Sequence, residues 1–267
     1  MSQPWNLSAT NYATVKERHY EVAVLPIGAT EPHNLHLPYG NDSLMALHIG
    51  ERICETAWQR GAKVMLLPTI PYGTQTNQRE FPFSMNVNPS TMYRLVTDLV
   101  ESLCYQGIHK ILLLNSHGGN EFKGWLREMF GKTEAQLFLC DWFRMFVVQG
   151  GKRDEDIFEE PDDHAGEMET SIALALYPEL VGRRENGSLL ADDGVKASTR
   201  FEAVRRGWVS VSRAWHLLTT NTGAGNPHKA SAEKGEKALA IIVERLSRFL
   251  VELSDAPLDE RFPFEQT

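Results

Sequence analysis

Glu31 and His33 stand one residue apart in the segment Leu25-Pro-Ile-Gly-Ala-Thr-Glu-Pro-His-Asn-Leu-His-Leu-Pro-Tyr-Gly-Asn-Asp42. Asp42 closes it, so three potential metal ligands, Glu31, His33 and Asp42, fall within twelve residues. Two further stretches add donors of the same kind. His117 lies in Asn115-Ser-His-Gly-Gly-Asn120, and His164, Glu167 and Glu169 lie in His164-Ala-Gly-Glu-Met-Glu-Thr170. Oxygen and imidazole donors without thiolates suit zinc, manganese or iron. Pro32 stiffens the spacing between Glu31 and His33, and a carboxylate such as Asp42 can offer one oxygen to each of two metals. Every one of these residues also has a plainer reading. His33 and His36 can be satisfied by hydrogen bonds in their loop, Asp42 can cap a helix, and Glu167 and Glu169 can complement a helix dipole. The three donor-bearing segments together point to an enzyme rather than a binding module.

Segments this far apart meet only if the fold delivers them. Short runs rich in Val, Ile and Leu predict strands at 21–27, 63–68, Lys110–Asn115 and Gln136–Asp141. Between and beyond them, apolar periodicity predicts helices at 42–60, 89–106, 121–132 and 165–176. A closing helix at 231–253 carries Leu239, Ile242, Leu246, Phe249 and Leu253 as one stripe. The alternation predicts an α/β fold, a mainly parallel sheet with helices on both faces. Glu31 and His33 then follow the first strand and His117 the third, at the carboxyl ends where open parallel sheets bind ligands. On a helix opening near His164, His164 and Glu167 share a face and Glu169 points away. Residues 207–212 suit an edge strand, and 221–227 a Gly-rich loop.

The 267 residues are 42% hydrophobic with a net charge of −8, which fits one domain spanning 1–267 and argues against nucleic-acid binding. The N-terminus lacks the features of a signal peptide, and no apolar run reaches the length of a membrane span. Cys54, Cys104 and Cys140 are too few and too scattered for a disulfide framework or a thiolate metal site. The expected compartment is the cytoplasm.

Taken together, G-A-T-E-P-H-N-L-H-L-P-Y-G-N-D, N-S-H-G-G-N and H-A-G-E-M-E-T-S resemble the creatininase (creatinine amidohydrolase) family over about residues 20–180. The resemblance implies a three-layer α/β/α sandwich, a homo-oligomer that is often a hexamer, and two divalent metal ions per subunit. Zinc is expected first, with manganese or iron as alternatives. It implies that Glu31 and His117 bind one metal and His33 the other, with Asp42 bridging. Creatininase takes a further carboxylate from the position two residues after the His of its third-strand motif, which is Gly119 here. Glu167 is the expected replacement ligand, with Glu169 as a second candidate or a general base, and His164 matches the position proposed for proton transfer.

The implied activity is metal-dependent hydrolysis of a non-peptide C–N bond in a small cyclic amide or formamide, by a metal-activated water. Many relatives carry a His and an F-P-G-T stretch after the second strand. Tyr72-Gly-Thr-Gln-Thr-Asn-Gln-Arg-Glu-Phe-Pro-Phe-Ser84 stands there instead, which argues against creatinine itself. One alternative is a hydrolase or isomerase of a ketosugar or inositol derivative, its hydroxyls met by Gln75, Asn77 and Gln78. Another is a non-catalytic, metal-stabilised subunit whose site is closed by four protein ligands.

Overall fold

The computed structural model describes residues 3–146, 157–159 and 162–264. Strands β1 (Val22–Ile27), β2 (Val64–Leu66), β3 (Lys110–Asn115) and β4 (Gln136–Asp141) form one parallel sheet in the order β2-β1-β3-β4. β1 and β3 run in register from Val22 opposite Lys110 to Ile27 opposite Asn115. Every residue of these two central strands is buried, because side chains alternate between two faces that are both covered. Val22, Val24, Leu112 and Leu114 enter one apolar cluster, while Ala23, Leu25, Ile27, Ile111 and Leu113 enter the other.

The helices are α1 (Tyr12–Val15), α2 (Asn41–Gln59), α3 (Pro89–Tyr105), α4 (Lys123–Met129), α5 (Glu167–Leu176), α6 (Glu202–Arg205), α7 (Trp215–Leu218) and α8 (Ala232–Asp255). α2 buries Met45, Ile49, Ile53 and Ala57 at helical spacing and packs with α5 and α8 on the first face. α3, with Met92, Val96 and Val100, joins α4 on the second. The result is the expected α/β/α sandwich. Pro89 opens α3 and Gly107, at φ 81, follows its end, the usual asymmetry of helix starts and stops. α8 crosses α5 so closely that a Cβ on Gly235 would overlap the Ser171 carbonyl oxygen.

Three expectations are corrected. Residues 207–212 form no strand; Trp208, Val209 and Val211 are exposed there, and the Trp208 and Val209 N–H groups turn back onto Ala203 O at 2.9 and 3.1 Å. The 221–227 loop contains β6 (Ala224–Gly225), paired antiparallel with β5 (Asp162–His164); two residues are too short for any periodicity to show. The helix expected from residue 165 begins at Glu167, because Ala165 takes φ 52 and Gly166, at φ −97 and ψ −145, is not helical. His164 therefore ends a strand instead of opening a helix. No helix among the described residues is long and apolar enough to cross a membrane.

Candidate metal centre

The sheet presents its donors at its carboxyl edge. β1 runs into the loop carrying Glu31 and His33, held shut by Glu31 N–H donating to Tyr39 O at 3.0 Å. Asn34 adopts φ 55 and is tied at N–H to Thr222 Oγ1 (2.8 Å) and at its side chain to Asp192 O (2.8 Å). Asp42 lies in the first turn of α2, where the helix dipole favours an anion. Gly40 occupies the N-cap position, so the Asp42 carboxylate points into the site instead of capping. β3 ends at Asn115, whose amide donates to His117 O and to Asp141 Oδ1, both at 2.9 Å.

These segments bring the donors together in a buried cluster. His33 Nε2 lies 3.0 Å from Asp42 Oδ1, 3.9 Å from Glu169 Oε2 and 3.9 Å from Glu31 Oε1. His117 Nδ1 lies 3.1 Å from Asp42 Oδ2 and 3.2 Å from Glu31 Oε1. His164 Nδ1 lies 3.6 Å from Glu31 Oε1. Among the described residues, three groups are close enough to hold an ion: Glu31, Asp42 and His117; His33, Asp42 and Glu169; and Glu31, His33 and His164. Asp42 belongs to two of them and turns a different oxygen to each imidazole.

The far nitrogen of each ring is already committed. His33 Nδ1 donates to Glu31 O (3.0 Å), His117 Nε2 to Thr74 O (3.0 Å) and His164 Nε2 to Pro32 O (2.9 Å). A carbonyl only accepts, so those nitrogens carry the hydrogens, and the inner nitrogen of a neutral ring turns a lone pair towards carboxylate oxygens. Two lone pairs repel, so a proton or a metal cation must lie between them. Backbone carbonyls that fix the tautomer in this way are typical of metal-binding histidines. Asp42 Oδ2 is buried and accepts no hydrogen bond among the described residues, although His117 Nδ1 is 3.1 Å away. The atoms approach without donor alignment, as two ligands of one ion would. The donor set therefore fits divalent metal.

The electrostatics agree. Burial opposes charge on His33, but Asp42, Glu169 and Glu31 outweigh it and lift its pKa to about 10. His117 is likewise raised, against its burial, by Glu31 and Asp42. Burial works to raise Glu31 and Asp42, yet the surrounding imidazoles hold both below the ordinary carboxylate range. For Glu169 burial prevails and the pKa rises to about 7. Burial, reinforced by His33, lowers that of His164. His36 supports the loop, its Nε2 2.8 Å from Thr170 Oγ1, and burial lowers its pKa to about 4.

Glu31, His33, Asp42, His117, His164 and Glu169 converge; Glu167 does not. Its buried carboxylate receives Lys234 Nζ at 2.5 Å and Glu159 N–H at 2.8 Å, facing α8 and not the cluster. The left-handed turn at Ala165 folds the chain so that Glu169 Oε2 accepts Ala165 N–H at 2.6 Å while facing His33. Glu169 thus occupies the place expected for Glu167. A Cβ on Gly119 would overlap the Thr74 carbonyl oxygen that anchors His117, so a side chain there requires that backbone to shift.

A pocket of about 200 Å³ opens beside the donors, lined also by Thr74, Asn77, Gln78, Arg213 and Trp215. Gln78 Nε2 donates to Glu31 Oε2 at 2.5 Å. Gln75 lies outside this lining, its amide spent on Thr30 O and Met85 O. Trp215 is fixed by Nε1 donating to Thr222 O at 2.7 Å and stands edge-on to His164, the ring centroids 5.7 Å apart. Arg213 escaped the sequence reading because it sits in an irregular segment with no periodicity or motif.

A family model described as creatinine amidohydrolase matches residues 6–250. A crystal structure from Bacteroides fragilis NCTC 9343, assigned provisionally as a creatinine amidohydrolase, superposes with a TM-score of 0.86. It is 38% identical, over 97% of this chain and all of that one. The mycofactocin precursor peptide peptidase of Mycobacterium ulcerans (strain Agy99) is 25% identical over 235 residues, 83% of this chain and 81% of its own length. Creatinine amidohydrolase of Pseudomonas putida is 28% identical over 184 residues, 60% of this chain and 66% of its own.

Proposed function

The chain belongs to the creatininase family, and from that membership and the geometry above we propose that it is a metal-dependent amidohydrolase cleaving a C–N bond in a small cyclic amide or formamide. The observation that carries this reading is Asp42, which turns one oxygen to His33 and the other to His117 while both rings are locked with their inner nitrogens towards it. In the proposal Glu31, Asp42 and His117 hold one divalent ion, and His33, Asp42 and Glu169 hold a second.

Ions there would supply an acidified water and polarise the scissile carbonyl. The protein's part is to place and move protons. Gln78 steadies Glu31 through Oε2, leaving Oε1 to the cluster. Burial keeps His164 neutral near pH 7, its Nε2 hydrogen engaged with Pro32 O. Its Nδ1 is thus free to take a proton and pass it to the leaving nitrogen. Glu169 is a ligand in this scheme, with a general-base role as the alternative. The pocket beside the donors argues against a closed structural site. The ketosugar alternative loses one of its three hydroxyl-binding groups, since Gln75 lies outside the pocket lining and its amide hydrogens go to Thr30 O and Met85 O.

The proposal extends to zinc, manganese or iron as the ion, a cytoplasmic setting suited to three free cysteines, and a homo-oligomer. Val195, Phe201, Trp208, Val211 and Leu217 lie exposed along one stretch, which supports burial against another copy. The test is chelation and reloading with zinc or manganese, followed by assays on cyclic amides and formamides. Turnover should vanish with the metal and return with it. Turnover indifferent to chelation, or a protein that takes up no metal, overturns the reading.

A further inference from the structure

The three donors proposed for the second ion stand on three separate elements. His33 is in the loop after β1, Asp42 in the first turn of α2, and Glu169 in the first turn of α5. The first ion draws on Glu31, Asp42 and His117, none of which α5 carries. α5 therefore serves one ion alone. Its seat against the loop and α2 decides whether Glu169 meets its partners.

Two buried polar pairs define that seat. Thr170, next to Glu169, has its Oγ1 2.8 Å from Nε2 of His36, three residues beyond His33. Tyr177, at the C-cap of α5, has its hydroxyl 3.1 Å from Oδ1 and 3.3 Å from the carbonyl oxygen of Asn41, the residue before Asp42. All four residues are buried, and Tyr177 otherwise lies in the apolar cluster where α2, α5 and α8 meet. A hydrogen bond in such surroundings adds little net stability over apolar groups of the same shape. What it adds is direction, since it weakens steeply when misaligned. Thr170 and Tyr177 are seven residues apart, or ~10 Å along the helix axis, so they pin α5 at two points against sliding and turning. A metal site needs such pinning, because ligand distances hold only within about 0.2 Å.

We propose that Thr170 and Tyr177 are positioning residues for the second ion: through His36 and Asn41 they fix α5 so that Glu169 meets His33 and Asp42. The inference rests on the two-ion reading of the site. The first ion is indifferent to these hydroxyls, because its donors are placed by the loops after β1 and β3 and by α2.

The test is zinc titration by equilibrium dialysis with elemental analysis. Thr170→Val and Tyr177→Phe each remove a hydroxyl and leave the side-chain shape almost unchanged. Each should weaken one zinc ion about tenfold or more, as loss of outer-shell support does, and leave the other at wild-type affinity. Thr170→Ser keeps the hydroxyl and should keep both ions. In a Glu169→Gln background Thr170→Val should cost little further, because changes that act through one ligand do not add. Wild-type affinity at both ions in either variant overturns that residue's assignment and leaves the metal centre intact. Equal weakening of both ions, a Thr170→Ser protein as weak as Thr170→Val, or a fully additive loss in the Glu169→Gln background also overturns it. A wild-type protein that takes up fewer than two ions overturns the two-ion reading and this inference with it. Tyr177→Phe decides the matter if Thr170→Val fails to fold.

Discussion

Replacing Glu169 by Gln should separate the two carboxylates of the α5 first turn. The group formed by His33, Asp42 and Glu169 has Glu169 as its third donor. Apparent zinc affinities of ~10–16 kcal/mol for four-ligand sites correspond to roughly 3 kcal/mol per ligand, or about a hundredfold in affinity at ~1.4 kcal/mol per tenfold. Glu169→Gln should therefore weaken the second ion by about a hundredfold and leave the ion at Glu31, Asp42 and His117 in place. The fold should survive, since a Gln carbonyl can still accept Ala165 N–H. Glu167→Gln should do the reverse. It weakens the buried contact with Lys234, at a cost of about 1–3 kcal/mol in stability for a hydrogen bond to a charged group, and keeps both ions. Equilibrium dialysis in zinc buffers with elemental analysis reads the first effect, and urea denaturation the second. A Glu169→Gln protein with two ions at wild-type affinity, beside a Glu167→Gln protein that has lost one, would refute the assignment.

Gly119→Ala should displace the Thr74 carbonyl that anchors His117 and lower metal affinity at least about tenfold, as loss of outer-shell support does; zinc titration of the folded variant checks it, and unchanged affinity refutes it. Ala165→Val puts a β-branched side chain at φ 52 in a fully buried position. It should cost about 2 kcal/mol or more, and a change below about 0.5 kcal/mol in urea denaturation would show the turn to be unconstrained. In the metal-free protein, the raised pKa of His33, at about 10, and that of His117 stabilise the fold fully below about pH 6.5. That stability is lost as pH rises through the folded values, and Glu169, raised to about 7, acts in the same direction. The melting temperature of chelated protein should fall between pH 7 and 10, while metal-loaded protein should hold. Parallel pH profiles would contradict this.

Much of the scaffold was legible in the chain itself. Unbroken apolar runs such as Lys110–Asn115 mark strands buried on both faces, and the i, i+4 stripes of α2 and α3 mark the helices that cover them. Strand-helix alternation then places Glu31, His33 and His117 at one sheet edge, because parallel strands align their carboxyl ends. Those inferences use only local periodicity and the common direction of parallel strands. The 207–212 segment misled because Val and Trp favour strands only where a neighbouring strand accepts them, and none among the described residues does.

The sequence by itself determined which residue types were available to bind a metal and at which end of the sheet they would gather. Only the tertiary structure decided which of Glu167 and Glu169 faces the centre. Two side chains that sit two residues apart in one helical turn point in different directions, and their roles depend on where the helix begins. That start is set by the left-handed turn at Ala165, and Glu167 is drawn away by Lys234, 67 residues later in the chain. Arg213 and Gln78 likewise reach the pocket only through folding. Donor chemistry is a property of residue type, whereas the direction in which a donor points is set by backbone torsions and distant partners.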